Sequence, residues 1–396
     1  MNPTGIEWVK NPDGSKGHVW NPLRARDKET GKRGKHCEPV HDGCKFCWAS
    51  ALNAMDGERG GTGLDYKPGN RDKVDLYLDE KTLIAPLKKK KPTRVFVCSM
   101  TDPFGAWVKP EWLDTMFAVM ALCQQHTFII LTKRPAAMRA YLAQAILQIH
   151  ACALVMSGGD YSGFSWPLPN VWLLASCSEQ KDAAEFVPIL LDTPAAKRGV
   201  SLEPLLGPID LKHLDINGDG EMDALSPGSP AEHWRDAWCP EVTGLSLSEC
   251  IEGFEDWGFS YPPSEIPMRG LDWVIVGGES GRKDQAVRPM HPQWVQSLHD
   301  QCRAANVPFF FKQWGEWLPW MQFVASGVED GDPAECTRFP TMEWENGRWC
   351  DAGHPSWVDS ADGAIDDSEC VGRVGKRRAG HRLDGAEHRA WPEAAP

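Results

Sequence analysis

From about residue 94 the chain alternates short, continuous apolar runs with longer segments whose apolar residues recur at helical spacing. The runs cover 94–98, 127–131, 171–175, 198–202, 273–276 and 307–311. None alternates strictly with polar positions, as expected of parallel strands buried on both faces. Between them, 110–125, 135–149, 180–192 and 292–305 read as amphipathic helices. Pro110, Pro135 and Pro292 open three of these at the helix position that best tolerates proline. Strand–helix alternation at this spacing predicts βαβ units, in either a βα barrel or a doubly wound sheet.

The residues just after the runs are polar or charged almost every time: Ser99 and Asp102; Lys133 and Arg134; Ser176, Ser178 and Glu179; Glu203; Glu279; Lys312. Parallel strands all point one way, so their C-terminal loops converge on one mouth, where βα barrels carry their active sites. Six polar strand ends in succession therefore predict such a mouth. Two segments break the pattern. Residues from about 212 to 268 are acidic and rich in Pro and Ser, and read as an insertion; from 324 to 396 the chain reads as an irregular C-terminal extension. The expected organisation is a βα unit over 1–323, interrupted by the insertion, with that extension after it.

Composition adds bounds. The 396 residues, 42% hydrophobic and 24% charged, suit a globular protein. No apolar run reaches the roughly 18 residues of a membrane span, and the N-terminal stretch has no apolar secretory core, so a cytoplasmic protein is expected. The net charge of −13 argues against a broad nucleic-acid-binding surface. Basic runs exist at Lys88, Lys89, Lys90 and Lys91 with Arg94, and at Lys376, Arg377 and Arg378 with Arg382, each of which reads first as a solvated charge run. The 19 tryptophans can stack on a planar ligand or knit loops together.

Ten of the 13 cysteines stand alone and read as buried thiols. The other three, Cys37, Cys44 and Cys47, have the spacing C-x6-C-x2-C within residues 36–48, with Gly43 available for a turn. Three thiolates can hold an iron–sulfur cluster with one iron left open for an exchangeable ligand. With His36 or His41 the same residues could instead form a zinc knuckle, and a C-x2-C pair is also a redox-dithiol pattern. Asp215, Asn217, Asp219, Gly220 and Asp223 resemble half a calcium loop. Ser226 stands where a bidentate Glu is required, so an acidic turn is the better reading.

The cysteine segment resembles the radical S-adenosylmethionine (SAM) superfamily, whose members carry C-x3-C-x2-C with an aromatic residue before the last cysteine. Phe46 holds that aromatic place, and the first gap is six residues instead of three. A closer similarity is to a phage-associated, three-cysteine radical-SAM-like family. The shared stretches are Gly43 to Ala49, Ser99 to Asp102, Leu131 to Pro135, Glu203 to Pro208, Trp273 to Gly281 and Phe310 to Gly315.

The resemblance implies a partial or near-complete TIM-like βα barrel of the radical SAM type, with a [4Fe–4S] cluster on Cys37, Cys44 and Cys47. It also implies SAM as cosubstrate and an electron donor of flavodoxin or ferredoxin type. One electron from the cluster would cleave SAM to a 5′-deoxyadenosyl radical that abstracts hydrogen from substrate. Ser99 and Asp102 are then candidates for SAM's amino group, Lys133 or Arg134 for its carboxylate, and Ser176, Ser178 and Glu179 for its ribose. Glu203, Glu279 and Lys312 are left as substrate-side catalytic candidates. The family context, the basic runs and the tryptophans suggest a nucleotide or nucleic-acid base as substrate, as in phage DNA hypermodification. A small molecule or peptide substrate, or a noncatalytic zinc-stabilised nucleic-acid-binding protein, are the alternatives.

Overall fold

A computed structural model describes residues 1–55, 60–161, 163–215, 221–226, 270–281, 286–319, 322, 341–345, 348–351 and 370–392. Its centre is an eight-stranded, mostly parallel sheet in a mixed α/β fold. The strands are β1 (Asn2–Pro3), β2 (His18–Trp20), β3 (Arg94–Val97), β4 (Thr127–Thr132), β5 (Val171–Cys177), β6 (Lys197–Leu202), β7 (Trp273–Gly277) and β8 (Phe309–Gln313). They lie in chain order. β1 is antiparallel to β2, and every later pair is parallel.

The two faces of the sheet go to different cores because successive side chains in a strand point to opposite sides. Val95, Val97, Phe128, Ile130, Leu173, Val200, Val274 and Phe311 pack into the large core shared with the helices. Their alternates Phe96, Ile129, Trp172, Leu174, Trp273, Ile275 and Phe310 meet in a second cluster around Trp8. This explains the continuous apolar runs: both faces are buried. The ring of Trp8 lies 4.7 Å from that of Phe96 on β3 and 6.1 Å from that of Trp273 on β7. Four strand spacings in a flat sheet span about 19 Å, so the sheet curves round Trp8.

Among the described residues β8 and β2 do not pair. The tail runs beside β8 instead. Phe311 N–H donates to His388 C=O (2.7 Å) and Ala390 N–H to Phe309 C=O (3.0 Å), while Trp391 Nε1 donates to Trp8 C=O (2.9 Å).

Helices Pro110–Leu122, Gln180–Leu191 and Pro292–Ala304 fall where the sequence places them. The segment 135–149, expected as one helix, is two: Pro135–Leu142 and Ile146–Met156, bent by 70° at the break. No single helix among the described residues is long and apolar enough to cross a membrane. The extension expected to be irregular contributes strands Thr341–Glu345, Arg348–Asp351 and Cys370–Arg373 to a four-stranded antiparallel sheet with Trp317–Pro319. Of the expected insertion, Leu214–Asp215 and Glu221–Met222 form a short antiparallel pair. Most of the calcium-loop candidate, 216–220, lies outside the described residues.

The parallel series begins earlier than the sequence suggests. β2 is only three residues long and pairs in parallel with β3 (His18 with Val95, Trp20 with Val97). The cysteine loop, expected ahead of the first strand of the series, therefore follows it. Three residues are too few to show a hydrophobic period, so this strand was illegible locally.

Candidate functional site

Reading each strand in steps of two along the curved inner face, the side chains change from apolar to polar. The series are Trp172, Leu174, Ser176 and Ser178 from β5; Ile129, Leu131 and Lys133 from β4; Trp273, Ile275, Gly277 and Glu279 from β7. The β6 series is Gly199, Ser201 and, one residue past the strand, Glu203; the β8 series is Phe310 and Lys312. The aromatic floor shuts water out of the base, and the strand ends form a polar rim.

Pairs within the rim confirm that these residues face one another. Lys133 Nζ donates to Ser176 Oγ. Lys312 Nζ lies 2.8 Å from Glu203 Oε1, and Ser201 Oγ donates to Glu203 Oε2 at 3.1 Å. That ion pair crosses the intervening strand β7 at Gly277, where an added Cβ would stand 2.4 Å from Glu203 Oε1. Register shifts at the same level: Val276 pairs with Phe311 but Gly277 with Gln313, leaving Lys312 as the extra residue of a bulge. A bulge re-aims a side chain, here toward the carboxylate.

The cysteine loop is docked over this rim by two arginine clips. Arg134 Nη1 donates to Asp102 Oδ2 (3.0 Å), its Nη2 donates to Glu38 C=O in the loop (2.9 Å), and its guanidinium lies 4.8 Å from the Trp107 ring centroid. Arg288 repeats the arrangement on the β7 side. It holds both oxygens of Glu279, donates to Asp42 C=O in the loop (3.0 Å), and stands 5.5 Å from the Phe46 ring centroid. Thr101 Oγ1 adds a bond to His36 C=O. Each clip joins a strand-end carboxylate to a loop carbonyl through a planar fork, the geometry for which guanidinium is suited.

Asp102 also accepts from Thr132 Oγ1 (2.7 Å), Lys133 N–H (3.0 Å) and Phe104 N–H (3.0 Å). With Arg134 that makes four donors, the full acceptor capacity of a carboxylate. Through Arg134 it is linked to the cysteine loop. Glu279, 5% exposed, is likewise committed to Arg288. Ser99 Oγ bonds with Asn21 at the end of β2. Glu179 is the N-cap residue of helix Gln180–Leu191 and pairs with Lys181 at 2.7 Å, directed along the helix.

Ser178 is fully buried, its N–H donating to Asp182 Oδ2 (2.8 Å), and its Oγ has no hydrogen-bond partner among the described residues. It packs on Gly43 of the cysteine loop, where a Cβ would lie 2.2 Å from Ser178 Oγ and 2.8 Å from the His41 ring. Gly43→Ala is therefore expected to lift the loop from β5. The measurement is limited proteolysis, with cleavage appearing within 36–48 in the variant; equal protection in both proteins would contradict the packing.

The three thiols are free and half-buried. Burial, then the nearby Asp102 carboxylate, push the Cys37 thiol up to about 12, and burial raises Cys47. Cys37 and Cys47 lie within electrostatic reach of each other, as do Cys47 and Cys44. Among the described residues no three His, Cys, Asp or Glu side chains gather closely enough for a single ion. His36 Nε2 contacts Glu38 (3.2 Å), and His41 Nδ1 accepts from Gly43 N–H (3.1 Å) and faces Asp182 at 3.6 Å. Burial and the charge of Lys133 depress the His41 ring to about 4. Three thiols on one loop are a soft donor set of the kind that an iron–sulfur cluster or zinc takes.

Sequence reasoning named the residues that end the strands but missed Arg288, Trp107, Asn21 and Asp182. Arg288 lies nine positions beyond Glu279, and no local pattern ties the two together; only the fold does. One family model, described as a protein of unknown function (DUF5131), matches residues 4–392. No curated protein and no solved structure matches.

Proposed function

The chain belongs to the DUF5131 family across nearly its whole length, and from its own residues we propose that it is a radical SAM enzyme built on a partial βα barrel. One observation carries the reading: a three-cysteine loop follows the first parallel strand and is clipped over the polar C-terminal rim of the sheet. Cys37, Cys44 and Cys47 would hold a [4Fe–4S] cluster, which would supply one electron for reductive cleavage of SAM and so for hydrogen abstraction from substrate.

The chain's own groups prepare that site. Arg134 and Arg288 hold the loop at fixed height through Glu38 and Asp42 carbonyls. Lys133 and Ser176, adjacent in the rim, would receive SAM's carboxylate and ribose, and Ser99, bonded to Asn21 at the end of β2, would add a polar contact. Asp102 and Glu279 act as positioning residues through their arginines. The Glu203–Lys312 pair, on the far side of Gly277, is the substrate-side group: charge-paired at rest, it can orient a polar substrate without a net charge in the rim. The aromatic floor of Trp172, Trp273 and Phe310 keeps water from below, as a reactive intermediate requires. The protein works in a reducing cytoplasm with an electron carrier of flavodoxin or ferredoxin type, and its substrate is a nucleotide or nucleic-acid base.

Anaerobic purification with metal analysis and EPR of the reduced protein tests the assignment. A [4Fe–4S] signal that changes when SAM is added is the expected result. Zinc without iron, in protein never exposed to oxygen, would overturn it.

A further inference from the structure

The tail brings a second set of charges to the rim. Gly375 N–H donates to Glu316 C=O (3.0 Å), Trp314 N–H donates to Gly380 C=O (3.1 Å), and Trp314 Nε1 donates to Arg382 C=O (2.8 Å). These bonds lay the turn Lys376–Ala379 across the end of β8, directly after Lys312 and Gln313. Gly375 (φ +84°) and Gly380 (φ +68°) bracket it in the left-handed region that glycine adopts without strain. Ala379 is buried beneath the turn, while Lys376, Arg377 and Arg378 stay exposed. Lys376 stands in the field of Lys312, Glu203, Glu316 and Glu7, so it belongs to the β6–β8 side of the rim.

Three other rim cations have carboxylate partners, and Lys133 lies against the hydroxyl of Ser176. Arg134 has Asp102, Arg288 has Glu279, and Lys312 has Glu203. Lys376 and Arg377 have no ion-pair partner within 4 Å among the described residues, in a chain whose net charge is −13. Bound SAM does not call for them, because its one carboxylate is balanced by its own ammonium and sulfonium. Adjacent cations on one short turn exceed what a single carboxylate neutralises, and suit a phosphate of about −2 or successive phosphodiesters.

We propose that the turn Lys376–Ala379 is the phosphate-binding edge of the substrate site, taking the phosphate of a nucleotide or of a polynucleotide strand. The proposal rests on reading the rim as a substrate site, and not on the cluster. Lys376 and Arg377 hold the phosphate at the β8 end, which leaves the attached sugar and base to extend across Glu203 and Lys312 toward the cysteine loop.

The test uses full-length, anaerobically purified protein and the double variant Lys376→Glu/Arg377→Glu, with Lys376→Arg as the charge-preserving control. Binding of fluorescein-labelled oligothymidylate is followed by anisotropy between about 50 and 200 mM NaCl. The charge-reversed variant is expected to bind at least about tenfold more weakly at low salt, with a log–log salt slope shallower by about 1.4 for two lost phosphate contacts. Lys376→Arg should bind like the parent. Competition by thymidine monophosphate, but not by thymidine, at the affinity of the strand would support the phosphate edge and identify a free nucleotide as the source. A strand that binds far more tightly than the monophosphate would support it with a polynucleotide as the source. No binding by the parent, or equal affinity and slope in parent and variant, would overturn it. A SAM-responsive EPR signal without strand or nucleotide binding sinks this inference alone; salt-dependent binding by protein that holds zinc and no iron sinks only the radical reading.

Discussion

Cys44→Ala protein, purified without oxygen, is expected to hold almost no cluster iron and to cleave no SAM, whereas Cys152→Ala retains both. Cys44 lies on the turn Asp42–Cys44, whose backbone is tied by Cys44 N–H to His41 C=O (2.9 Å), and Cys47 N–H returns to Cys44 C=O (3.2 Å). Removing the middle thiol leaves two ligands, too few to retain a cubane that needs three protein thiolates to stay bound. Cys152 sits on helix Ile146–Met156, near Asp114 of helix Pro110–Leu122, and is not part of the cysteine loop. Iron per chain and the EPR signal are read on both variants side by side. Equal iron in the two would remove the cluster from the cysteine loop. Iron lost from both would point to general instability, which the urea midpoints of the two proteins separate from a ligand effect.

Asp102→Ala should lower unfolding stability by about 3–5 kcal/mol, the cost of leaving one partner of a buried ion pair uncompensated. The carboxylate is 7% exposed and serves four donors, so its loss strands Thr132 Oγ1, two backbone N–H groups and Arg134 together. Arg134→Ala removes the same pair from the other side, together with the bond to Glu38 C=O. The two changes should therefore be strongly non-additive, with the double variant scarcely less stable than the worse single one. Urea unfolding of the four proteins measures this. Arg134→Lys is expected to recover little, because an ammonium cannot reach Asp102 and Glu38 in one plane. A loss below about 1 kcal/mol for Asp102→Ala would place the pair among weak surface bridges. It would also separate loop docking from the carboxylate.

The protein partners of Asp102 and Glu279 were not legible in the sequence, for a physical reason. Both end strands and both face the rim, so position alone marked them as ligand contacts. Three of the four donors to Asp102 lie 30 to 32 residues away, the fourth being Phe104 N–H two residues on, and Arg288 lies nine residues from Glu279. Such distant partners are invisible to any reading of neighbouring residues. Glu203 and Lys312 depend on three strands at once: carboxylate on β6, ammonium on a bulge in β8, and a glycine between them on β7.

The amino-acid sequence by itself determined the strand–helix alternation, because strands buried on both faces are continuous apolar runs and amphipathic helices repeat at 3.6 residues. It also determined which residue types end the strands, and the three-thiol loop, since covalent neighbours keep their spacing in any fold. Tertiary structure decided the rest. Curvature round Trp8 arises from Phe96 and Trp273, which only the folded sheet brings to one ring. The three-residue strand ahead of the cysteine loop exists because β3 offers it a parallel edge. The clips of Arg134 and Arg288, and the tail laid across β8, join groups that the folded sheet brings together over as many as 246 residues of chain. Propensity and period act over a few residues, whereas a site assembled at strand ends is specified by packing.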